Sequence, residues 1–202
     1  MASIYDLKPA FQNLLRPFSN WLANRGVTPN QVTIAALLIS LLTGLMVYLY
    51  PTGRWSLLFV PIVLLLRMML NAIDGMLARE HQMQTALGTF LNEIGDVLSD
   101  TFLYLPFSLV PGISPFLVIN IVVLSIISEM TGVVAIQIGA KRRYDGPMGK
   151  SDRAFVFGVL GLLLGFGIKA HTWLNIILGI TLILLIITIM NRTIHALKDQ
   201  SQ

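Results

Sequence analysis

Long apolar runs alternate with short polar segments along this chain of 202 residues. A helix needs about 20 apolar residues to cross a bilayer, and six runs reach or approach that length. The predicted spans cover residues 30–50, 56–79, 88–110, 114–140, 154–169 and 172–190. The pattern predicts an all-α, polytopic membrane protein that forms one domain over residues 1–202, with five or seven spans as alternatives because the fourth run is long and the fifth is short.

The first part of the chain has a different pattern. From residue 3 to residue 25, apolar side chains recur every three or four positions, with Lys8, Arg16 and Arg25 between them. This period predicts an N-terminal amphipathic helix. Such a helix can lie on the membrane surface or pack across the ends of the spanning helices, and we favour the surface position.

Polar side chains interrupt the second and third predicted spans at helical spacing. They are Asn71 and Asp74 on one predicted helix, where Ala78 shares their face, and Asn92, Asp96 and Asp100 on the next. Residues three or four apart share one face of a helix. Each ionisable group inside a membrane span costs about 2.5 to 3.5 kcal/mol on insertion scales, so the carboxylates must be paired, metal-bound or hydrated. The sequence therefore places its chemistry here.

The available side chains indicate an oxygen-liganded metal. The chain has no cysteine, so a metal site must use oxygen or imidazole ligands. A short loop makes the two predicted helices antiparallel neighbours, and their carboxylate and amide oxygens suit hard cations such as Mg²⁺ or Mn²⁺. Gly75 would let a ligand approach the helix backbone, and Arg79 would pair with a phosphate oxygen. The alternative is that these residues only pack two helices together in lipid.

Basic residues are concentrated on one side of the predicted bundle. That side holds Lys8, Arg16, Arg25, Arg79, Lys141, Arg142, Arg143, Lys150, Arg153, Arg192 and Lys198, whereas the other side holds Arg54 and Lys169. Cytoplasmic loops of membrane proteins carry the excess of lysine and arginine. We therefore expect both termini and the polar cluster to be cytoplasmic, in a bacterial-type inner membrane, with membrane lipids and no nucleic acid as partners.

The polar cluster resembles a known signature. Residues 71–79 read N-x-x-D-G-x-x-A-R, and after eight residues the segment 88–96 reads G-x-x-x-N-x-x-x-D. The CDP-alcohol phosphatidyltransferases have D-x-x-D-G-x-x-A-R followed by G-x-x-x-D-x-x-x-D at similar spacing. The chain resembles this family in spacing throughout the signature, and the six-span layout with an amphipathic start is similar as well.

This resemblance implies an enzyme of phospholipid biosynthesis. It implies that a phosphatidyl group passes from CDP-diacylglycerol, or another CDP-alcohol, to an alcohol acceptor with release of CMP. The implied metal ligands for one or two Mg²⁺ or Mn²⁺ ions are Asn71, Asp74, Asn92 and Asp96, with Asp96 also the proposed general base. The implied substrate-binding residues are Gly75, Ala78, Arg79, Thr85 and Gly88. Family members are often homodimers, so the resemblance also implies a homodimer.

Two positions depart from the family pattern. Asn71 and Asn92 stand where the family has the first and third aspartates. An amide oxygen can coordinate a cation, but it brings no negative charge and does not bridge two ions as a carboxylate does. We therefore expect an active enzyme with a weaker or single metal site.

Three ionisable residues lie deeper in the predicted spans. Arg67 is one helical turn deeper than Asn71, and Asp100 is at a similar depth on the next helix. Glu129 in the fourth span is the rival partner for Arg67. A buried ion pair that fixes helix register is the favoured interpretation, and contact with substrate is the alternative.

The segment 141–153 reads KRRYDGPMGKSDR and contains five basic residues. It can act as a cytoplasmic anchor attracted to anionic lipid headgroups. Its Gly149-Lys150 pair, followed by Arg153, is also similar to a family element beside the catalytic pocket. We therefore predict that Lys150 or Arg153 contacts an anionic part of a substrate.

Other functions remain open at this stage. A related enzyme would transfer from a water-soluble CDP-alcohol to a lipid acceptor. A family member without catalytic activity would bind lipid or nucleotide only. A small transporter fits less well, because the polar cluster lies at the mouth of the bundle and no broken inverted repeat is visible.

Overall fold

A computed structural model describes residues 8–200, and these residues form helices without any strand. The α-helices are α1 (Lys8–Asn24), α2 (Pro29–Leu49), α3 (Arg54–Glu80), α4 (Ala86–Tyr104), α5 (Pro115–Gln137), α6 (Lys150–Gly165) and α7 (Thr172–Gln200), and a 3₁₀ helix (Leu105–Leu109) continues α4. The predicted all-α class is confirmed. The first residues of the predicted amphipathic helix, 3–7, lie outside the described residues.

Side-chain caps fix where two functionally placed helices begin. At α2, the Gln31 backbone N–H donates to the Thr28 hydroxyl, while the Thr28 N–H donates to the Gln31 side chain at 2.9 Å. At α4, the Thr85 hydroxyl accepts a hydrogen bond from the Gly88 N–H at 2.9 Å. Such caps satisfy backbone donors that have no partner within the helix. Both caps lie at the same end of the bundle.

Four helices are long and apolar enough to cross a membrane, among the residues that the structure describes. They are α2, α3, α5 and α7. The other two predicted spans correspond to α4 and α6 but do not have this character by themselves. Helix α4 contains Glu93, Asp96 and Asp100, and α6 has only 16 residues. The structure therefore confirms a membrane protein with several apolar helices, while the count of six spans remains a prediction.

Helices α4 and α6 nevertheless lie directly against the apolar helices. A Cβ atom at Gly44 of α2 would overlap the backbone carbonyl of Phe102 in α4. A Cβ atom at Gly161 of α6 would lie 2.9 Å from the carbonyl oxygen of Leu57 in α3. Small residues permit such close backbone approach between membrane helices. The polar helix α4 is thus held tightly beside α2.

The main core lies where α4, its 3₁₀ extension and α6 meet. Tyr104 and Phe157 stack with ring centroids 4.2 Å apart, and Phe107 contacts Phe157 edge-on at 5.3 Å. All three side chains are fully buried. Aromatic pairs of this geometry add packing energy beyond the area they bury. This core fixes α4 and α6 relative to each other just below the polar cluster.

Helix α1 packs across the end of α3. Leu15 is buried in a cluster with Ile73 and Leu77, and the exposed Arg16 side chain pairs with Glu80 at 3.1 Å. Apolar side chains on other parts of α1, such as Phe18 and Trp21, are exposed. One face of α1 therefore contacts the bundle, as in the alternative interpretation of its sequence, and a second apolar surface is left outside that contact.

Candidate active site

A cavity of about 410 Å³ opens between the first turn of α2, the end of α3 and the start of α4. Its walls contain most of the residues that the sequence singled out. These are Asn71, Asp74, Gly75, Ala78, Arg79, Thr85, Gly88 and Asn92. Gln12 of α1 and Asn30 and Thr33 of α2 also line it. The structure thus brings the two halves of the signature to one concave surface.

Asp74 lies on the wall of this cavity and is largely buried. The Thr33 hydroxyl of α2 donates a hydrogen bond to Asp74 Oδ2 at 2.8 Å. A buried carboxylate requires such a partner, because burial of an unpaired polar group costs free energy. Thr33 was not among the predicted site residues, since its contact with Asp74 depends on the packing of α2 against α3.

Two glycines make space at the cavity wall. A Cβ atom at Gly75 would lie 2.8 Å from the guanidinium of Arg79, so the missing side chain accommodates that arginine. A Cβ atom at Gly88 would lie 2.7 Å from the Asn30 side-chain oxygen. The structure therefore gives both glycines a local role in seating neighbouring polar side chains. Arg79 itself is exposed at the cavity wall.

Asp96 lies beside the cavity and contacts three nitrogen groups. Asn71 Nδ2 donates to Asp96 Oδ1 at 3.1 Å, and Arg67 approaches the same oxygen at 3.5 Å. The Lys150 ammonium also pairs with Asp96 Oδ1. Asp96, Lys150 and Arg153 are not among the residues that line the cavity of 410 Å³. Asn71, which lines the cavity, connects it to the Asp96 carboxylate by a hydrogen bond.

A buried network of charges lies deeper in the bundle. Arg67 and Arg153 both pair with Asp100, the latter at 3.1 Å, and Arg153 and Arg192 both pair with Glu129, at 3.0 and 3.5 Å. Asp100 is therefore the partner of Arg67, and Glu129 pairs with other arginines. Removing one partner from such a network leaves an uncompensated buried charge. Helices α3 to α7 are joined by it.

Arg153 is completely buried, and its guanidinium is engaged by Asp100 and Glu129. Lys150 is 31% exposed at its side chain. Of the two basic residues predicted to contact an anion, Lys150 is therefore the one near the open site. The sequence placed Arg192 only among the basic residues of the cytoplasmic side, because it follows the apolar run predicted to end at residue 190, and its burial was not predicted. It points inward, and its guanidinium donates to the backbone oxygens of Ser128 and Asp145.

The loop before α6 is tied to α4 by Arg142. This arginine forms an ion pair with Glu93 and lies 3.6 Å from Glu129. Burial alone would lower the pKa of the Arg142 guanidinium, but the hydrogen bond and negative charge of Glu93 outweigh burial and raise it. The negative charge of Glu93 is thus engaged by Arg142.

The cavity wall offers one carboxylate and two side-chain amides as possible ligands for a hard cation. Within residues 8–200, no group of three or more aspartate, glutamate or histidine side chains is arranged to hold a metal ion. Asp74 is the one carboxylate among the cavity-lining residues, beside the amide groups of Asn71 and Asn92. Mg²⁺ is commonly held by one or two carboxylates together with substrate phosphates and waters. Asp74 with the two amides is a donor set of this kind.

Comparison with known proteins places the fold and the signature in one family. The profile of the CDP-alcohol phosphatidyltransferases matches residues 26–197, which include the whole cavity except Gln12. The chain belongs to the CDP-alcohol phosphatidyltransferase family. This family consists of enzymes of phospholipid synthesis, so the predicted family and the predicted membrane setting are confirmed.

Two relatives of this chain have names that indicate a location or an activity. The inner membrane protein YnbA of Escherichia coli is 48% identical over 190 residues, which cover 94% of each chain. The archaetidylinositol phosphate synthase of Pyrococcus horikoshii is 35% identical over 94 residues, 46% of this chain and 47% of that protein. Similarity to the first extends over almost the entire sequence, and similarity to the second covers about half.

The fold is shared with phosphatidylinositol phosphate synthase (PgsA1) of Mycobacterium tuberculosis. A crystal structure of that protein with CDP-DAG bound has a TM-score of 0.73 and 20% sequence identity, and the match covers 89% of this chain and 91% of that chain. A second structure, in complex with manganese and citrate, also gives a TM-score of 0.73, with coverage of 89% and 87%. At this identity the similarity establishes the common fold.

Proposed function

We propose that this protein transfers a phosphatidyl group from CDP-diacylglycerol to the hydroxyl group of a small alcohol and releases CMP. The main support is the cavity of about 410 Å³ whose walls unite both halves of the family signature. Its size lies within the roughly 300 to 1,000 Å³ of small-molecule sites. CDP-DAG bound to the Mycobacterium tuberculosis relative supports the choice of donor.

In the proposed reaction, the alcohol oxygen attacks the phosphorus that bears the diacylglycerol. A new P–O bond forms to the alcohol, and the bond from that phosphorus to the bridging pyrophosphate oxygen breaks. The bridging oxygen leaves with CMP, and the hydroxyl proton passes to a base. Asp96 is the proposed base. Its side-chain contacts with Asn71, Arg67 and Lys150 all involve Oδ1. The other oxygen, Oδ2, would accept the proton.

The other site residues would bind and orient the donor. Asp74, with the amide oxygens of Asn71 and Asn92, would hold Mg²⁺ or Mn²⁺ against the pyrophosphate. When bound, such a cation stabilises negative charge on the leaving phosphate. Arg79 on the same wall would pair with a phosphate oxygen, and the remaining substrate contacts are proposed for Gly75, Ala78, Thr85 and Gly88. The relative crystallised with manganese supports a divalent metal in the family.

We infer that the protein crosses the inner membrane six times with both termini and the active site in the cytoplasm. Helices α4 and α6 pack along the apolar helices, as the contacts of Gly44 and Gly161 show. With its 3₁₀ extension, α4 reaches residue 109, which is enough chain to cross a bilayer. The positions of the basic residues support the orientation, and the name of the Escherichia coli relative supports the location.

CMP release tests the proposed activity. Purified protein would be incubated with CDP-diacylglycerol and Mg²⁺ or Mn²⁺ and with a panel of alcohol acceptors of different charge. We expect metal-dependent release of CMP that is lost in Asp96→Asn and retained in Asp199→Asn, which removes a more exposed aspartate paired with Arg143. Separate acceptors would then identify the alcohol.

Failure of this assay has a defined meaning. If folded protein released no CMP from CDP-diacylglycerol, a water-soluble CDP-alcohol with a lipid acceptor would be tested next. If that donor also released no CMP, the transferase would be rejected in favour of a protein that binds lipid or nucleotide without catalysis.

A further inference from the structure

Lys150 has an unusual position for a lysine. It is the first residue of α6, where the backbone N–H groups give the helix end a partial positive charge. A cation is disfavoured at that position unless an anion compensates it. Two carboxylates lie near this helix end: Asp152 in its first turn accepts a hydrogen bond from the Gly149 N–H, and Asp96 on α4 pairs with the Lys150 ammonium. The Asp96 contact therefore directly compensates the charge of the lysine itself.

The Lys150 pair is one of two matched contacts between α6 and α4. Lys150 and Arg153 are three residues apart and share a face of α6, whereas Asp96 and Asp100 are four apart and share a face of α4. Lys150 pairs with Asp96, and Arg153 pairs with Asp100. Because Arg153 is fully buried, its contact fixes the start of α6 against α4. Lys150 is thereby held beside the reactive carboxylate.

Arg67 on α3 places a second positive charge beside Asp96. The Arg67 guanidinium donates to the Asp96 backbone oxygen at 3.0 Å and lies 3.5 Å from Oδ1, while Asn71 donates to that same Oδ1. A metal ion bound by this oxygen would meet two positive charges and an amide N–H. By contrast, Asp74 contacts the neutral Thr33 hydroxyl. The two carboxylates of the signature are therefore electrostatically different.

We propose that the Lys150 ammonium replaces a second divalent cation at Asp96, so that the site works with one metal ion at Asp74 and one built-in positive charge. This inference rests on the proposed transferase function and specifies how the altered signature performs it. Asn71 and Asn92 remove two negative charges, and Lys150 fills the position next to Asp96 with a single positive charge. A fixed ammonium can stabilise charge on a phosphate without a second ion.

The number of bound Mn²⁺ ions tests this arrangement without any substrate turnover. Electron paramagnetic resonance of free Mn²⁺, titrated into detergent-purified protein, would count the ions. We expect one ion for the unaltered protein and for Asp96→Asn, and loss of that ion in Asp74→Asn. Lys150→Met should gain a second ion, and the double variant Lys150→Met, Asp96→Asn should return to one.

Lys169→Met is the matched control, because it removes a lysine from the loop between α6 and α7. It should bind one ion. Two ions in the unaltered protein, the second lost in Asp96→Asn, would overturn the proposal, as would an unchanged count in Lys150→Met or no binding to unaltered protein. If Lys150→Met does not fold, the comparison of unaltered protein with Asp96→Asn still decides the ion count at Asp96.

The number of bound Mn²⁺ ions is measured independently of the transferase assay. One ion at Asp74 together with no CMP release from either type of donor would retain the charge arrangement and reject the enzyme. CMP release together with an Asp96-dependent second ion would retain the enzyme and reject the role of Lys150.

Discussion

Asn71 and Asn92 determine how much negative charge faces the cavity. Both line it, together with the single carboxylate of Asp74. The Asn71 amide donates to Asp96, whereas an aspartate at position 71 would place a second carboxylate about as close. Two carboxylates at such a distance repel each other unless a cation lies between them. With asparagine at positions 71 and 92, less carboxylate repulsion has to be offset, so Asp74 and Asp96 need less bound metal charge between them.

The double substitution Asn71→Asp, Asn92→Asp should strengthen metal binding. We expect the Mg²⁺ concentration for half-maximal CMP release to fall by about tenfold or more, which corresponds to about 1.4 kcal/mol in binding free energy. Metal titration of activity measures this change. Asn24→Asp, an exposed substitution at the end of α1, is the control for adding a negative charge away from the cavity. An unchanged metal requirement in the double variant would contradict the role of the asparagines.

Arg67→Leu should destabilise the fold. It would leave Asp96 and Asp100 with fewer positive partners in a region where Arg67 is only 4% exposed. Loss of one partner from a buried ion pair typically costs about 3 to 5 kcal/mol. Thermal unfolding in detergent would detect the loss. Arg16→Leu breaks an exposed pair with Glu80 and should leave the unfolding temperature unchanged; an equally stable Arg67→Leu would contradict the structural role.

Sequence spacing located the individual residues that line the cavity, but not the side chains on other helices that contact the site. Asn71, Asp74 and Ala78 could be grouped because a helix fixes which residues share a face. The contact of Lys150 with Asp96 could not be found in this way. It depends on how a loop of several residues returns α6 to α4, and no local period encodes that path.

Close packing between whole helices keeps α4 beside α2. Helix α4 contains three acidic residues and would be a poor membrane helix alone, yet Gly44 allows its backbone to touch that of α2. Small residues at such contacts let van der Waals packing join helices in lipid. Gly44 therefore helps to keep α4 in its place beside the cavity.

Gly44→Ala and Gly179→Ala should change stability in opposite directions. Alanine normally favours a helix over glycine by up to about 1 kcal/mol, and a Cβ atom at Gly179 meets no atom within 4 Å. At Gly44 the overlap with Phe102 should outweigh this gain, since overpacking typically costs about 1 to 3 kcal/mol. Unfolding temperatures of the two variants compare them directly. A more stable Gly44→Ala would show that α2 and α4 are not tightly packed.

The apolar pattern predicted the helices well and their ends less well. The predicted spans 30–50 and 56–79 differ by one or two residues from α2 and α3. Helix α7 continues to Gln200, although its apolar run was predicted to end at residue 190. In this extension, Arg192 turns inward and donates hydrogen bonds to the backbone oxygens of Ser128 and Asp145. Hydropathy alone does not reveal a polar segment stabilised by partners on other helices.

The path of the whole chain through the membrane can be mapped with single cysteines. The chain has no cysteine, so each introduced thiol is the one labelling site in the protein. With six spans, Gln82→Cys and Lys141→Cys should react with an impermeant maleimide from the cytoplasmic side. Thr52→Cys, Ser114→Cys and His171→Cys should react from the outside. Labelling of Ser114→Cys from the cytoplasm would show that α4 does not cross.

The contacts of Arg67 also constrain how the protein is made. Arg67 belongs to the apolar helix α3, whereas its ionic partners Asp96 and Asp100 belong to α4. A nascent chain that has inserted only as far as α3 would expose this arginine to hydrocarbon, at about 2.5 to 3.5 kcal/mol. We therefore expect α3 and α4 to gain their stability together, because the charge of Arg67 on α3 is compensated only when α4 lies beside it.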